Sequence, residues 1–142
     1  MPIIPQGRYC VLVVEDNPAE ALLISEAFAS VSIPVDLECV GTGSAALVRL
    51  QLGSAAQRPT LVLIDNHLPD MRGTELAARL AADPQYGNPR MVLLSGDVAS
   101  NRNKGEWEDW LEKPASWGEW ETLARDLLQR FLIGSPGNRR QA

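Results

Sequence analysis

Apolar residues in this chain gather into short continuous runs, and between the runs they recur at helical spacing. Tyr9–Val14 reads YCVLVV, a run without polar alternation, which predicts a strand buried on both faces. Asn17–Pro18–Ala19–Glu20 opens a helix: Asn17 can cap it, Pro18 suits its first position, and Glu20 stands three residues after the cap. Ala21, Ile24, Phe28 and Val31 share one face of that helix. Pro34 ends it, Val35–Val40 reads as a second strand, and Ser44–Leu52 as a second helix with Leu47, Val48 and Leu50 apolar. Thr60–Ile64 predicts a third strand running into Asp65, and Gly73–Ala82 a third helix with Leu76 and Leu80 one turn apart. Met91–Leu94 is a fourth strand ending at Ser95–Gly96. The polar stretch Asp97–Gly105 has room for only a short helix, and Asp109–Leu111 is a short fifth strand. Ser116–Leu132 predicts the last helix, with Trp117, Trp120, Ala124, Leu127 and Phe131 along one stripe and Gly134 and Pro136 stopping it.

Strands alternating with helices predict an α/β fold: a five-stranded parallel sheet, doubly wound as (βα)5 with right-handed crossovers. One domain is expected over residues 9–132, with a lead-in over 1–8 and a Gly- and Pro-rich flexible tail over 133–142. Such sheets bind ligands beyond the carboxyl ends of their strands, near the point where strand order reverses. The residues at those ends are therefore the candidates.

Glu15 and Asp16 follow the first strand, Asp65 the third, Ser95 the fourth and Lys113 the fifth. Carboxylates gathered at one sheet edge repel one another unless a cation joins them, and a hard divalent ion such as Mg²⁺ (or Mn²⁺) with oxygen ligands is the natural partner. Ser95 can hydrogen-bond a phosphoryl oxygen and Lys113 can neutralise its charge. Asp65 is then a carboxylate nucleophile.

Composition narrows the field. The net charge is −5 with no basic cluster, which argues against nucleic acid or an anionic membrane as partner. No apolar run approaches the roughly 20 residues that span a bilayer. The start, MPIIPQGRY, lacks the pattern of a secretion signal, so the expectation is a cytoplasmic chain in which Cys10 and Cys39 are buried free thiols.

Four motifs, each after its own strand, carry a family resemblance: VVEDN at Val13–Asn17, LIDNHLPDMRG at Leu63–Gly73, LLSGD at Leu93–Asp97 and EKPAS at Glu112–Ser116. Together, across roughly Tyr9 to Leu132, they resemble the receiver domains of bacterial response regulators, which have a flavodoxin-like fold. The resemblance implies that Asp65 accepts a phosphoryl group from a histidine kinase. It implies that Asp16 and Asp65 bind the metal directly, that Glu15 acts through water, and that His67 offers its backbone carbonyl. Ser95 would be the switch hydroxyl, Lys113 the phosphate-binding lysine, and Lys113–Pro114 a cis bond. Trp110 stands where the family usually has a Tyr or Phe rotamer switch, Gly96 where Ala is common, and the Ser95-to-Lys113 segment is short. The NPAEALLISEAF and NHLPDMRG segments are also similar to small receivers that serve phytochrome kinases.

A receiver that fills the chain signals by protein contact or passes its phosphoryl group on, to a downstream target or a phosphotransfer protein. The competing classes are a binding module that is never phosphorylated and an aspartate-nucleophile phosphatase. The phosphatase class wants a second Asp two residues after the nucleophile, where His67 stands. All four Trp fall between Trp107 and Trp120. Leu123, Leu128, Leu132 and Ile133 make the last helix more apolar than one docking face requires, and the four Trp lie in it or just before it. Trp107, Trp110, Leu128 and Leu132 are accordingly expected to form a partner surface, used in a homodimer built on the last strand and last helix.

Overall fold

Residues 9–52, 58–96, 105 and 107–133 are described by a computed structural model of the chain. Five strands, β1 (Tyr9–Val14), β2 (Val35–Val40), β3 (Leu61–Asp65), β4 (Arg90–Ser95) and β5 (Asp109–Glu112), form one sheet in the order β2-β1-β3-β4-β5. Every pairing is parallel. The helices are α1 (Pro18–Ala29), α2 (Gly43–Leu52), α3 (Gly73–Ala82) and α4 (Trp117–Leu128), with a 3-10 turn at Pro84–Tyr86 that the sequence reading did not anticipate. The short helix expected within Asp97–Gly105 falls, but for Gly105, outside the described residues, as do the lead-in, most of the tail and the side chain of Leu132.

The unbroken apolar runs are explained by the two faces of the sheet. Side chains alternate between faces along a strand. Val11, Val13, Leu61, Leu63, Val92 and Leu94 pack with Ile24, Ala27 and Phe28 of α1 and Trp120, Ala124, Leu127 and Leu128 of α4. Their neighbours Leu12, Val14, Val62, Ile64, Met91 and Leu93 pack on the other face with Ala46 and Leu50 of α2 and Leu76, Ala77 and Leu80 of α3. β1 lies between β2 and β3, so the chain steps outward to β2 and then back past β1. The order reverses between β1 and β3, and in such sheets ligands bind beyond the carboxyl ends of the strands at that point.

Several expectations are corrected. Leu128 is fully buried and Trp110 only 6% exposed, both in the chain's own core, because α4 and α1 pack against each other and Trp110 turns into the face beneath Leu93 and Leu76. Neither is available to a partner in this fold. Trp117, placed on the buried stripe, is 41% exposed because it begins α4, ahead of the part of the helix that reaches the sheet. Cys10 and Cys39 are free, but Cys39 is exposed, since β2 is an edge strand with one face open. The Lys113–Pro114 bond is trans, the state that X–Pro bonds generally prefer. α4 gives way at Gln129 to a π turn reaching Ile133 instead of continuing as regular helix.

Candidate functional site

Four strand ends deliver the predicted residues to one edge of the sheet. Glu15, buried, directly follows β1, and its N–H donates to the Val40 carbonyl at 2.9 Å, which fixes it against the end of β2. Asp16 is exposed beside it. Asp65, the last residue of β3, is 6% exposed. One carboxylate oxygen from each of Glu15, Asp16 and Asp65 lies within 4.8 Å of the others. Ser95 ends β4 and is buried, and its carbonyl accepts from Lys113 N–H at 2.9 Å, tying the lysine's backbone to the neighbouring strand. The Lys113 Nζ stands 3.3 Å from Asp65 Oδ1 and 3.4 Å from Glu15 Oε1, and it also donates to Glu20 Oε1.

The β3–α3 loop is held from both sides. The Asn66 N–H donates to the Leu94 carbonyl at 3.0 Å, and its own carbonyl and Oδ1 accept from the N–H groups of Gly73 and Thr74 at 2.9 and 3.2 Å. The Asp70 carboxylate accepts from Gly43 N–H, Ser44 N–H and Ser44 Oγ, at 2.8 to 2.9 Å, and so caps α2 from a distant part of the chain. Those bonds hold the Asp70 carboxyl below its ordinary pKa. Gly73 is required by close approach: a Cβ there would sit 2.8 Å from the Asp65 carbonyl and 2.9 Å from Asn66 Cα, both backbone atoms. Gly73→Ala should therefore push α3 away from the strand end and cost roughly 1–3 kcal/mol, as overpacking does. Denaturant unfolding would register it as a lower midpoint at unchanged slope.

Electrostatically the pocket is short of positive charge. Burial, then the neighbouring Asp65 carboxylate, pushes the Glu15 carboxyl up from 4.5 to about 7, against the opposing pull of the Asn17 N–H and of Lys113. Burial alone would lower Lys113, but its bond to Glu20 and the charges of Glu15 and Asp65 outweigh that and raise it. A carboxyl with a folded pKa above its unfolded one binds its proton more tightly when folded. The stability it lends is complete below about 4.5 and is lost as pH rises through about 7. Metal-free protein should thus melt lower at pH 8 than at pH 5, and Glu15→Gln should flatten that slope. Melting curves across pH in the presence of a chelator would test this.

Glu15, Asp16, Asp65, Ser95 and Lys113 are thus brought together as the strand-end rule requires. His67 lies on the adjoining loop with its side chain exposed, and its N–H donates to Asp65 Oδ1 at 3.3 Å. Trp110 lies on β5 in the core, edge-on to the half-buried Trp107 with ring centroids 5.6 Å apart. Leu128 is distant from the pocket, in the core between α4 and the sheet. Sequence reasoning missed Glu20 as a partner of the lysine and Asp70 as the cap of α2. Glu20 sits where a capping box would use it, but the Asn17 N–H is taken by Glu15 Oε2 at 3.1 Å. The donor set, hard carboxylate oxygens crowded by burial and mutual repulsion, fits a Mg²⁺-type ion and not a soft one.

A doubly wound parallel sheet with acids after its first and third strands and a lysine after its fifth defines the receiver class. No protein-family model matches the chain. Individual relatives do. A Methanothrix harundinacea protein described as "probable methanogenesis regulatory protein FilR2" is 26% identical over 89% of this chain and 86% of its own length. The Mycobacterium tuberculosis protein described as "probable transcriptional regulatory protein TcrX" is 32% identical over 84% of this chain. The response regulator Rcp1 of Synechocystis is 31% identical over 60% of the chain, and its Mn²⁺-bound crystal structure superposes with a TM-score of 0.75 at 22% identity, covering 89% of this chain and 96% of that one. The crystal structure of the phosphorylated cyanobacterial phytochrome response regulator RcpA superposes with a TM-score of 0.79 at 24% identity, covering 90% of this chain and 96% of that one. The chain spans 50% of TcrX and 60% of Rcp1. Its fold is the flavodoxin-like receiver fold of response regulators.

Proposed function

We propose that this receiver takes a phosphoryl group from a phosphohistidine of a sensor kinase onto Asp65. The carrying observation is the convergence on Asp65 of Lys113, at 3.3 Å, and of two further carboxylates within 4.8 Å. In the transfer a carboxylate oxygen of Asp65 forms the new P–O bond, the P–N bond breaks, and the imidazole leaves. The Lys113 ammonium balances the transferred charge, and the Ser95 hydroxyl donates to a phosphoryl oxygen. Glu15, Asp16 and Asp65, with the His67 carbonyl, are the groups that would hold Mg²⁺ or Mn²⁺, which when bound supplies neutralisation of the phosphoryl charge. The chain turns over no other substrate in this reading. It works in the cytoplasm through residues 9–132, and its output is contact with a target or a phosphotransfer protein. A phytochrome kinase is the donor suggested by the likeness to RcpA. Among the described residues no helix is long and apolar enough to cross a membrane. Any homodimer would have to use exposed residues such as Trp117, with half-buried Trp107, in place of Leu128 and Trp110.

The test is phosphorylation by a small acyl phosphate. With Mg²⁺ present the intact mass should rise by one phosphoryl group that hydroxylamine removes; with chelator it should not. Labelling that ignores the chelator would sink the reading.

A further inference from the structure

Among the described residues, Lys113 is the cation paired with Asp65, and its side chain is long and flexible. An ammonium on four methylenes loses considerable rotamer entropy when held in one place. The backbone bond from Lys113 N–H to Ser95 fixes where the side chain starts but not where it ends. Three carboxylates hold its far end. Two of them, Glu15 and Asp65, belong to the set that would turn toward a divalent ion, and Asp65 changes chemically in the reaction. The third, Glu20, lies outside that set. It stands in the first turn of α1, where Pro18 and the bond from Ala19 N–H to Asn17 Oδ1 make the helix start rigid. Its side chain is 32% exposed, and that of Lys113 is 15% exposed.

We propose that Glu20 is a positioning residue: from the first turn of α1 it holds the Lys113 ammonium beside Asp65, so that the charge is in place when a phosphoryl group arrives. The inference rests on the phosphoacceptor reading above. The existing geometry satisfies it without rearrangement, since Lys113 reaches Glu20 and Asp65 Oδ1 at the same time. An ammonium has three donors, so keeping Glu20 leaves others for phosphoryl oxygens.

The experiment measures Mg²⁺-dependent phosphorylation by acetyl phosphate in wild type, Glu20→Ala, Glu20→Gln, Lys113→Ala and the double variant Glu20→Ala/Lys113→Ala. Ala is a good helix former at a partly exposed position, so folding should persist. Glu20→Ala should lower the rate at saturating donor by roughly 5–20-fold, the scale expected when a charged group loses its placement. Glu20→Gln, which still accepts from the ammonium, should recover most of that rate. In the Lys113→Ala background Glu20→Ala should change nothing further, because its effect runs through the lysine. A Glu20→Ala rate equal to or above wild type overturns the inference, and so does an undiminished loss in the Lys113→Ala background. Wild-type protein that takes no label on Asp65 would defeat the phosphoacceptor reading itself, which separates the two failures.

Discussion

Asp65→Asn should remove the hydroxylamine-sensitive label completely, the largest functional effect expected of any single change in this chain. The amide is nearly isosteric with the carboxylate, and its Oδ1 can still accept from the His67 N–H at the present 3.3 Å. The loop should therefore keep its shape. What disappears is the anionic oxygen that attacks phosphorus, and no neighbouring acid is placed to replace it. Glu15 points into the same cluster but is pushed up to about 7 by burial and by Asp65 itself. Asp16 is exposed at the pocket edge. The variant also loses one of the repelling charges. With Asp65 neutral, a cause of Glu15's raised pKa is gone, so metal-free Asp65→Asn should melt no lower than wild type at pH 8 while Mg²⁺ stabilises it less by mass action. Intact-mass measurement after acyl phosphate treatment, paired with melting curves with and without Mg²⁺, tests both halves. A variant labelled as fully as wild type would put the acceptor elsewhere.

The central strands were legible from hydrophobicity alone, because β1, β3 and β4 are covered on both faces and their sequences show it without interruption. The positions of Glu15, Asp16, Asp65, Ser95 and Lys113 followed from the same fact, since a parallel sheet places whatever follows each strand along one edge. The edges of the sheet were harder. β2 has one neighbouring strand, and its sequence VDLECV mixes two acids with apolar residues, so it did not show that Cys39 would be exposed. Glu20 was ambiguous in principle: an acid three residues after a cap satisfies a local helix rule, and only the tertiary fold decides that it serves a lysine 93 residues away. Leu128 on the last helix was misread for a related reason. A wide apolar arc says that more than one surface must cover it, but not whether that surface is a second copy of the chain. Here it is α1.

That distinction makes Leu128 decisive. It is fully buried, in the cluster that joins α1, α4 and the inner face of the sheet, with Ile24, Phe28 and Leu127 among its members. Leu128→Glu would place a carboxylate there without a described cation in the cluster to meet it. The side chain must be protonated, or leave the core and open a cavity; either cost is several kcal/mol against a total stability of roughly 5–15 kcal/mol for a domain. The expected result is loss of cooperative unfolding at neutral pH, with partial recovery as the pH falls and the new carboxyl takes up a proton. Trp117→Ala, at an exposed position, should by contrast shift the melting temperature only slightly. Near-ultraviolet circular dichroism and sedimentation on the same samples separate the two interpretations of the last helix. If Leu128→Glu keeps a native spectrum and a cooperative melt and merely converts a dimer to a monomer, then Leu128 is an interface residue and its burial against α1 is wrong. If it unfolds while Trp117→Ala stays native, the apolar excess of α4 belongs to the monomer's own core.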